Sequence, residues 1–407
     1  SVSNNTMPIV HYVFPDRYEG SYANYSLTND MMVLFSEQFG EYPFINEKYG
    51  HADFGWGGGM EHQTLTSMGG YSQGLIAHEL GHQWWGNLIT CKTFHDIWLN
   101  EGFARYCQAL WVEHQSGEEA YISFMNNHIY YGEGTIYVEN PSLNSDIFIS
   151  GLSYNKASWV LHMLRHMVGD STFFNILKSY ASNDSLRYNV ASTSDFKDVC
   201  EDVSGLELDD FFDQWIYGEK YPKYQVSWWS EDQDVYKVKI EQLQSTGYFS
   251  MPIDIYLVGS HGPLTHDTTF VVNNSGSSQT YEFSGLDHLV ESVTLDPDGW
   301  ILKEVSYTTT DLNNIIAKNI SVGQAYPNPF NSGTRLDYYI DPELGDMDIV
   351  IDILDISGRR VQTLIDKKVS SGFHSVFWES KNRATGVYFI QLLTNDFIST
   401  QKIVLLK

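Results

Sequence analysis

His78-Glu79-Leu80-Gly81-His82, with eighteen residues between His82 and the Glu101 of Asn100-Glu101, decides how the front half of this chain is read. Two histidines at i and i+4 fall on one face of a helix. Both imidazoles can then reach one ion at the roughly 2.0–2.1 Å typical of zinc–nitrogen bonds, with Glu79 directed at a bound water. The segment from Ser72 to Gly86 has the period of a helix, with Leu75, Ile76, Leu80, Trp84 and Trp85 as apolar positions and Gly86-Asn87 as a stop. A second helix is expected from Asn100, whose side chain would cap it, through Phe103, Tyr106, Leu110 and Trp111 to Gln115-Ser116-Gly117. Glu101 in its first turn would complete a His78, His82, Glu101 set for one zinc ion and leave a fourth position open for water, as a catalytic site requires. The competing reading, core or surface histidines and a solvated helix-start carboxylate, requires all four residues and both helices to coincide by accident.

Working outward, His-Glu-Leu-Gly-His-Gln-Trp-Trp-Gly-Asn (78–87), Trp-Leu-Asn-Glu-Gly-Phe-Ala (98–104) and Gly-Gly-Met-Glu-His (58–62) stand in one order along the chain. In that order they resemble the aminopeptidase N family of gluzincin metallo-aminopeptidases, and the resemblance extends over about residues 7–305. It implies a mainly helical, thermolysin-like catalytic domain. It also implies that Gly58, Gly59, Met60 and Glu61 lie along the substrate, with Glu61 binding the free α-amino group. Gly59 and His62 depart from the family's usual Ala and Asn. A fixed carboxylate at the end of a cleft suits an exopeptidase, because a charge-assisted hydrogen bond to the ammonium lets the enzyme count from the amino terminus. The other reading of Glu61 is an ordinary strand-edge carboxylate.

Ser153-Tyr154-Asn155-Lys156-Ala157 opens a helical run containing Trp159, Val160, Leu161, Leu164, Met167 and Val168, stopped at Gly169-Asp170. It resembles the family's Tyr-Glu-Lys-Gly-Ala segment, and by that match Tyr154 would donate to the tetrahedral oxyanion while Glu79 acts as the base. Without the match, Tyr154 is just one of the chain's 27 tyrosines, an aromatic at a helix start. Thr193-Ser194-Asp195-Phe196 and Phe211-Phe212-Asp213-Gln214-Trp215 resemble the same domain's helical tail and read as core packing. Asp96 fits either of two roles, orienting a ligand histidine or capping a helix.

At 407 residues and 42% hydrophobic content the chain has room for two to four domains. Its formal charge of −27, from 51 acidic and 24 basic residues, makes nucleic acid or an anionic membrane a repulsive partner. Three cysteines are too few for a disulfide scaffold; Cys91 and Cys107 either bridge in an oxidising compartment or stay as buried thiols. No run of eighteen apolar residues predicts a transmembrane helix. The chain opens at Ser1 without a signal-peptide pattern, and the resemblance leads one to expect a further β-rich domain before it.

Beyond Gly218-Glu219-Lys220-Tyr221-Pro222 the period changes to alternation, as in Tyr236-Lys237-Val238-Lys239-Ile240, which predicts short strands of a sandwich. A polar stretch follows. Then come Ala325-Tyr326-Pro327-Asn328-Pro329-Phe330-Asn331, Met347 to Ile353, Asp355 to Val361, Gly372 to Trp378, Gly386 to Phe389 and Lys402 to Lys407. Read bare, these are an antiparallel sandwich of about eighty residues. They also resemble the carboxy-terminal sorting domain of type IX secretion; an immunoglobulin-like accessory domain with no export role is the alternative.

The fold class expected is therefore multidomain α+β: a catalytic domain at 1–220, a small β-sandwich at 221–305, a linker at 306–320 and an immunoglobulin-like sorting domain at 321–407. The function expected is a secreted or cell-surface zinc aminopeptidase acting on peptides with a free amino terminus and delivered by secretion machinery. The rivals are an endopeptidase or epoxide hydrolase on the same framework, and an inactive surface-bound adhesion module.

Overall fold

Around the zinc-type motif, the sequence builds a short helix that ends earlier than its apolar period suggests. In this computed structural model, which describes residues 6–232, 235–261, 264–286, 289–309, 320–340, 344–381, 383–394 and 397–406, the motif helix spans Gln73–Gly81. Ser72 caps it, its Oγ accepting from the amide of Leu75 at 3.3 Å, a contact type worth about 1 kcal/mol. His82 sits at the C-cap and keeps a right-handed helical conformation, so it still shares a face with His78. Trp84 and Trp85 lie past the helix end and are buried, Trp85 stacking on Tyr180 with centroids 5.6 Å apart.

The second helix spans Trp98–Ser116. It therefore begins before Asn100, and the expected cap is corrected: Asn100 Oδ1 instead accepts from the amide of Cys91 at 3.0 Å, tying the helix to the strand Ile89–Cys91. Two small residues let this long helix sit against its neighbours. A Cβ on Gly81 would come within 2.7 Å of Cys107 Sγ, and one on Gly102 within 2.5 Å of Ala157 Cβ. The long helix is thus held at backbone-contact distance from both the motif helix and the helix Ala157–Val168. Around this trio Phe103, Phe196, Tyr180 and Trp98 form an aromatic core, each ring contributing on the order of 2–3 kcal/mol by burial. Phe211, Phe212 and Trp215 are buried too, in keeping with a packing role.

A three-stranded sheet lies beside the motif helix, in the order His51–Asp53, Thr66–Met68, Gly59–Met60. The edge strand pairs antiparallel, Gly59 with Met68 and Met60 with Ser67, which leaves Glu61 immediately beyond its end. Gln83 pins the following loop, its Oε1 accepting from the Thr64 amide at 3.1 Å.

The described residues fall into two compact units, Ser1–Val226 with Lys239–Ser306 and Ser227–Val238 with Tyr307–Lys407. The first is the mixed helix-and-strand body above and includes an antiparallel sheet of Met251–His261, Leu264–Asn274 and Leu289–Leu295. In the second, residues from 320 onward form two antiparallel sheets. One orders Ile320–Val322, Gly333–Ile340, Gly372–Glu379; the other orders Arg360–Val369, Met347–Leu354, Gly386–Leu393, Ile398–Leu405. Leu336, Tyr338 and Trp378 from one sheet and Ile351, Ile353, Ile390 and Leu392 from the other share one core, with Phe330 against Trp378. The two-residue alternation expected of these strands is what places those side chains inward. Most of the linker expected at 306–320 lies outside the described residues.

Candidate metal centre and active site

Nε2 of His78, Nε2 of His82 and Oε2 of Glu101 form a triangle with sides of 3.2, 3.3 and 3.3 Å. These are the edges of one face of a tetrahedron around an ion about 2.0 Å from each donor. All three side chains are buried. His82 Nδ1 donates to the carbonyl of Trp85 at 2.9 Å, which fixes the ring's orientation and leaves Nε2 as the atom facing His78. Two imidazole nitrogens and a carboxylate converging in a buried space repel one another unless a cation or a shared proton lies among them.

The electrostatics point the same way. Burial opposes ionisation of Glu101, but His82 and hydrogen bonds from both imidazoles hold it below the ordinary carboxylate range. Burial also disfavours charge on His82, yet Glu101, Glu61 and Glu79 together push it up to about 10. Three carboxylates around two histidines make a site that favours positive charge. The residues present therefore fit a divalent metal.

Glu79 follows His78 on the motif helix. Burial, with Glu61 and Glu101 adding to it against His82, pushes its carboxyl up to about 8. Its Oε2 is buried and has no hydrogen-bond partner among the described residues. Glu61, Glu79 and His82 also offer ligand-type atoms within 4.8 Å of one another, so the carboxylate at the end of the edge strand reaches the same centre. Gly59 bears on this too: a Cβ there would lie 2.7 Å from Cγ of Glu79. The side chain of Glu79 fills the space that an alanine methyl would take.

Tyr154 is carried by a π-helical turn, Ser150–Lys156, that precedes the helix Ala157–Val168. Its ring lies 6.0 Å from that of His78, nearly parallel to it. Burial and the Glu101 carboxylate raise the phenol above its ordinary value, so it remains a proton donor. Gly58, Gly59, Met60, Glu61, His78, Glu79, His82, Glu101 and Tyr154 all line one cavity of about 910 Å³.

Asp96 is not among them. Its Oδ1 accepts from the amide and hydroxyl of Thr193 at 3.0 and 2.8 Å, holding the start of the helix Thr193–Ser204. Ser192 caps that helix through a reciprocal pair with Asp195, so Asp96 is a tertiary tie between two segments rather than a helix cap. Cys91, Cys107 and Cys200 are free, buried thiols.

Over 257 residues, 55% of this chain, the sequence is 27% identical to glutamyl aminopeptidase of Rattus norvegicus, of which it covers 26%. Over 162 residues, 36% of this chain, it is 31% identical to aminopeptidase N of Lactococcus lactis subsp. lactis, of which it covers 19%. Residues 60–215 match the Peptidase family M1 domain. The chain carries an M1 peptidase domain. Residues 324–406 match the Secretion system C-terminal sorting domain, which indicates export to the secreted or cell-surface compartment. The chain spans about a quarter or less of the length of these relatives. The crystal structure of Legionella pneumophila aminopeptidase A in complex with aspartic acid superposes with a TM-score of 0.64 at 15% identity, covering 74% of this chain and 37% of that one. That likeness shows a shared fold. No helix among the described residues is long and apolar enough to cross a membrane.

The M1 domain contains two features that sequence reading passed over. One is the Trp85 carbonyl that orients His82. The other is Arg105, which also lines the cavity; it is four residues beyond Glu101, a spacing that by itself puts both on one helix face.

Proposed function

We propose that this protein is an exported zinc aminopeptidase that removes residues from the amino termini of peptides. The observation that carries the reading is the placement of Glu61 within 4.8 Å of Glu79 and His82. A carboxylate beside the reacting centre is what an enzyme needs to hold a substrate ammonium one residue from the scissile bond.

His78, His82 and Glu101 would hold the metal. When bound, zinc supplies Lewis acidity toward water and the scissile carbonyl. Glu79 accepts the proton of the attacking water at Oε2, the oxygen without another partner, and returns it to the leaving amine. Tyr154 donates a hydrogen bond to the oxygen on which negative charge develops. Glu61 binds the ammonium and sets the register, so that the first peptide bond meets Glu79. In this proposal residues 1–220 form the thermolysin-like catalytic domain, 221–305 a small β-sandwich, and 321–407 an immunoglobulin-like sorting domain that engages the secretion machinery.

The test compares a fluorogenic leucyl substrate with its N-acetylated twin, before and after zinc chelation. Cleavage of the free form alone, lost on chelation and restored by zinc, is the expected result. Equal cleavage of both forms would replace the reading with an endopeptidase.

A further inference from the structure

Arg105 stands in the cavity on the same face of the long helix as Glu101, one turn further on. Its Nη1 donates to Gln108 Oε1 at 2.8 Å, and its guanidinium carbon lies 5.9 Å from the centre of the Tyr154 ring. Its Nε is buried without a hydrogen-bond partner, and no carboxylate pairs with it among the described residues. In a chain with 51 acidic residues against 24 basic ones, a half-buried arginine left unpaired inside a cavity calls for an explanation. A guanidinium is a planar fork that suits a carboxylate, and Glu101, which attracts it through space, is engaged by His78 and His82 instead.

Its position along the cavity says which part of a substrate would meet it. The motif helix and the long helix run past each other, with Gly81 against Cys107 and Gly74 against Gln108. Glu61 lies toward the His82 end, close to His82 and Glu79. Arg105 lies toward the Gly74 end, beside Gln108 and Tyr154. Arg105 acts electrostatically on His78, and Glu61 on His82, so the two charges bear on different members of the ligand triangle. A peptide whose ammonium is held at Glu61 and whose first bond lies at the centre would bring its leaving portion within the part of the cavity that Arg105 lines.

We propose that Arg105 is a specificity residue that binds a carboxylate on the leaving side of the scissile bond. That carboxylate is either the free α-carboxylate of a dipeptide or the side chain of an acidic second residue. The inference rests on the aminopeptidase reading of the same site. Glu61 and Arg105 then supply opposite charges to one cavity, matched to a short zwitterionic peptide or to one with Asp or Glu in second place.

The experiment uses the zinc-loaded full chain and takes ratios of kcat/KM within each variant, so that a general loss of rate cancels. Leu-Leu is compared with Leu-Leu-amide for the α-carboxylate, and Leu-Asp-amide with Leu-Asn-amide for the side chain. Leucyl-p-nitroanilide reports the aminopeptidase reaction itself. The wild type should favour the carboxylate in at least one pair by about 10- to 100-fold, the worth of a charge-assisted hydrogen bond, and the responsive pair identifies the source. Arg105→Gln should bring that ratio close to one, and Arg105→Lys should keep part of it. An arginine that merely supports Tyr154 would slow every substrate alike and leave the ratio untouched. Ratios near one in the wild type, or a preference that survives Arg105→Gln, overturn the proposal while anilide hydrolysis leaves the aminopeptidase reading standing. Absence of anilide hydrolysis in the zinc-loaded wild type overturns both.

Discussion

Gly102 meets Ala157 so closely that a Cβ on the glycine would lie 2.5 Å from the alanine Cβ. The glycine follows Glu101 directly, and the alanine stands three residues after Tyr154. One backbone contact therefore sets the distance between the carboxylate of the candidate metal centre and the phenol opposite it. Gly102→Ala should destabilise the M1 domain by roughly 1–3 kcal/mol through overpacking. It should also weaken zinc binding, because Glu101 moves with its helix. Thermal unfolding together with a zinc titration checks this; an unchanged melting temperature and zinc affinity would show that the helices separate without strain.

Glu79→Gln keeps the shape of the side chain and removes its capacity to take a proton. Zinc content should stay at one ion per chain while kcat falls by roughly two to four decades. A variant with near-normal turnover would exclude Glu79 as the base.

Tyr154→Phe deletes one hydroxyl at the edge of the cavity. Because the proposed hydrogen bond forms to developing charge, kcat should fall by about two to three decades with KM little altered. If only KM rose, Tyr154 would be a ground-state binding residue.

Glu61→Gln leaves the edge strand intact and removes the anion. The preference for a free over an acetylated amino terminus should shrink by about 10- to 100-fold, since a charge-assisted hydrogen bond becomes an ordinary one. The ratio of the two substrates measures this directly, and an undiminished preference would assign the ammonium to another residue.

Lys156, in the same π-helical turn as Tyr154, is buried with no partner for Nζ among the described residues. Burial pushes its amine down to about 8, although Glu219 opposes the shift. Between that value and the ordinary 10.5 the unfolded chain holds more protons than the folded one, so this residue makes stability rise with pH across the window. Below about pH 8 its penalty is fully present. Lys156→Met should therefore raise stability at pH 7 by roughly 1–3 kcal/mol, and the advantage should vanish as pH approaches 10.5. Melting temperatures of both proteins between pH 6 and pH 11 test this, and a constant difference would remove the titration from the account.

Much of the site was legible because its chemistry is local. His78 and His82 share a face through helical spacing alone, and Glu79 follows from its place beside the first ligand. The C-terminal sandwich was legible from alternation, which sends Trp378, Ile351 and Ile390 inward whatever the order of the strands. Helix limits were less so. The apolar period of Ser72 to Gly86 continues through Trp84 and Trp85, but the helix itself stops at Gly81, because those tryptophans are drawn into a tertiary aromatic core rather than along a helix face. Asn100 reads as a cap by residue type, yet the start of its helix is set upstream at Trp98 and its amide oxygen serves Cys91.

Residue types and their spacing fix which groups are available: two imidazoles and a carboxylate suited to a metal, a neighbouring carboxylate, a tyrosine, and a second β-rich unit bearing the sorting-domain pattern. That Glu61, Tyr154 and Arg105, from a strand end, a π-helical turn and a helix, line one cavity with the ligand triangle emerges from packing alone. The difference is one of range. Helical and strand periodicity act between residues a few positions apart, whereas the meeting of segments some 40 to 50 residues apart depends on close helix packing at Gly81 and Gly102, which no local pattern encodes.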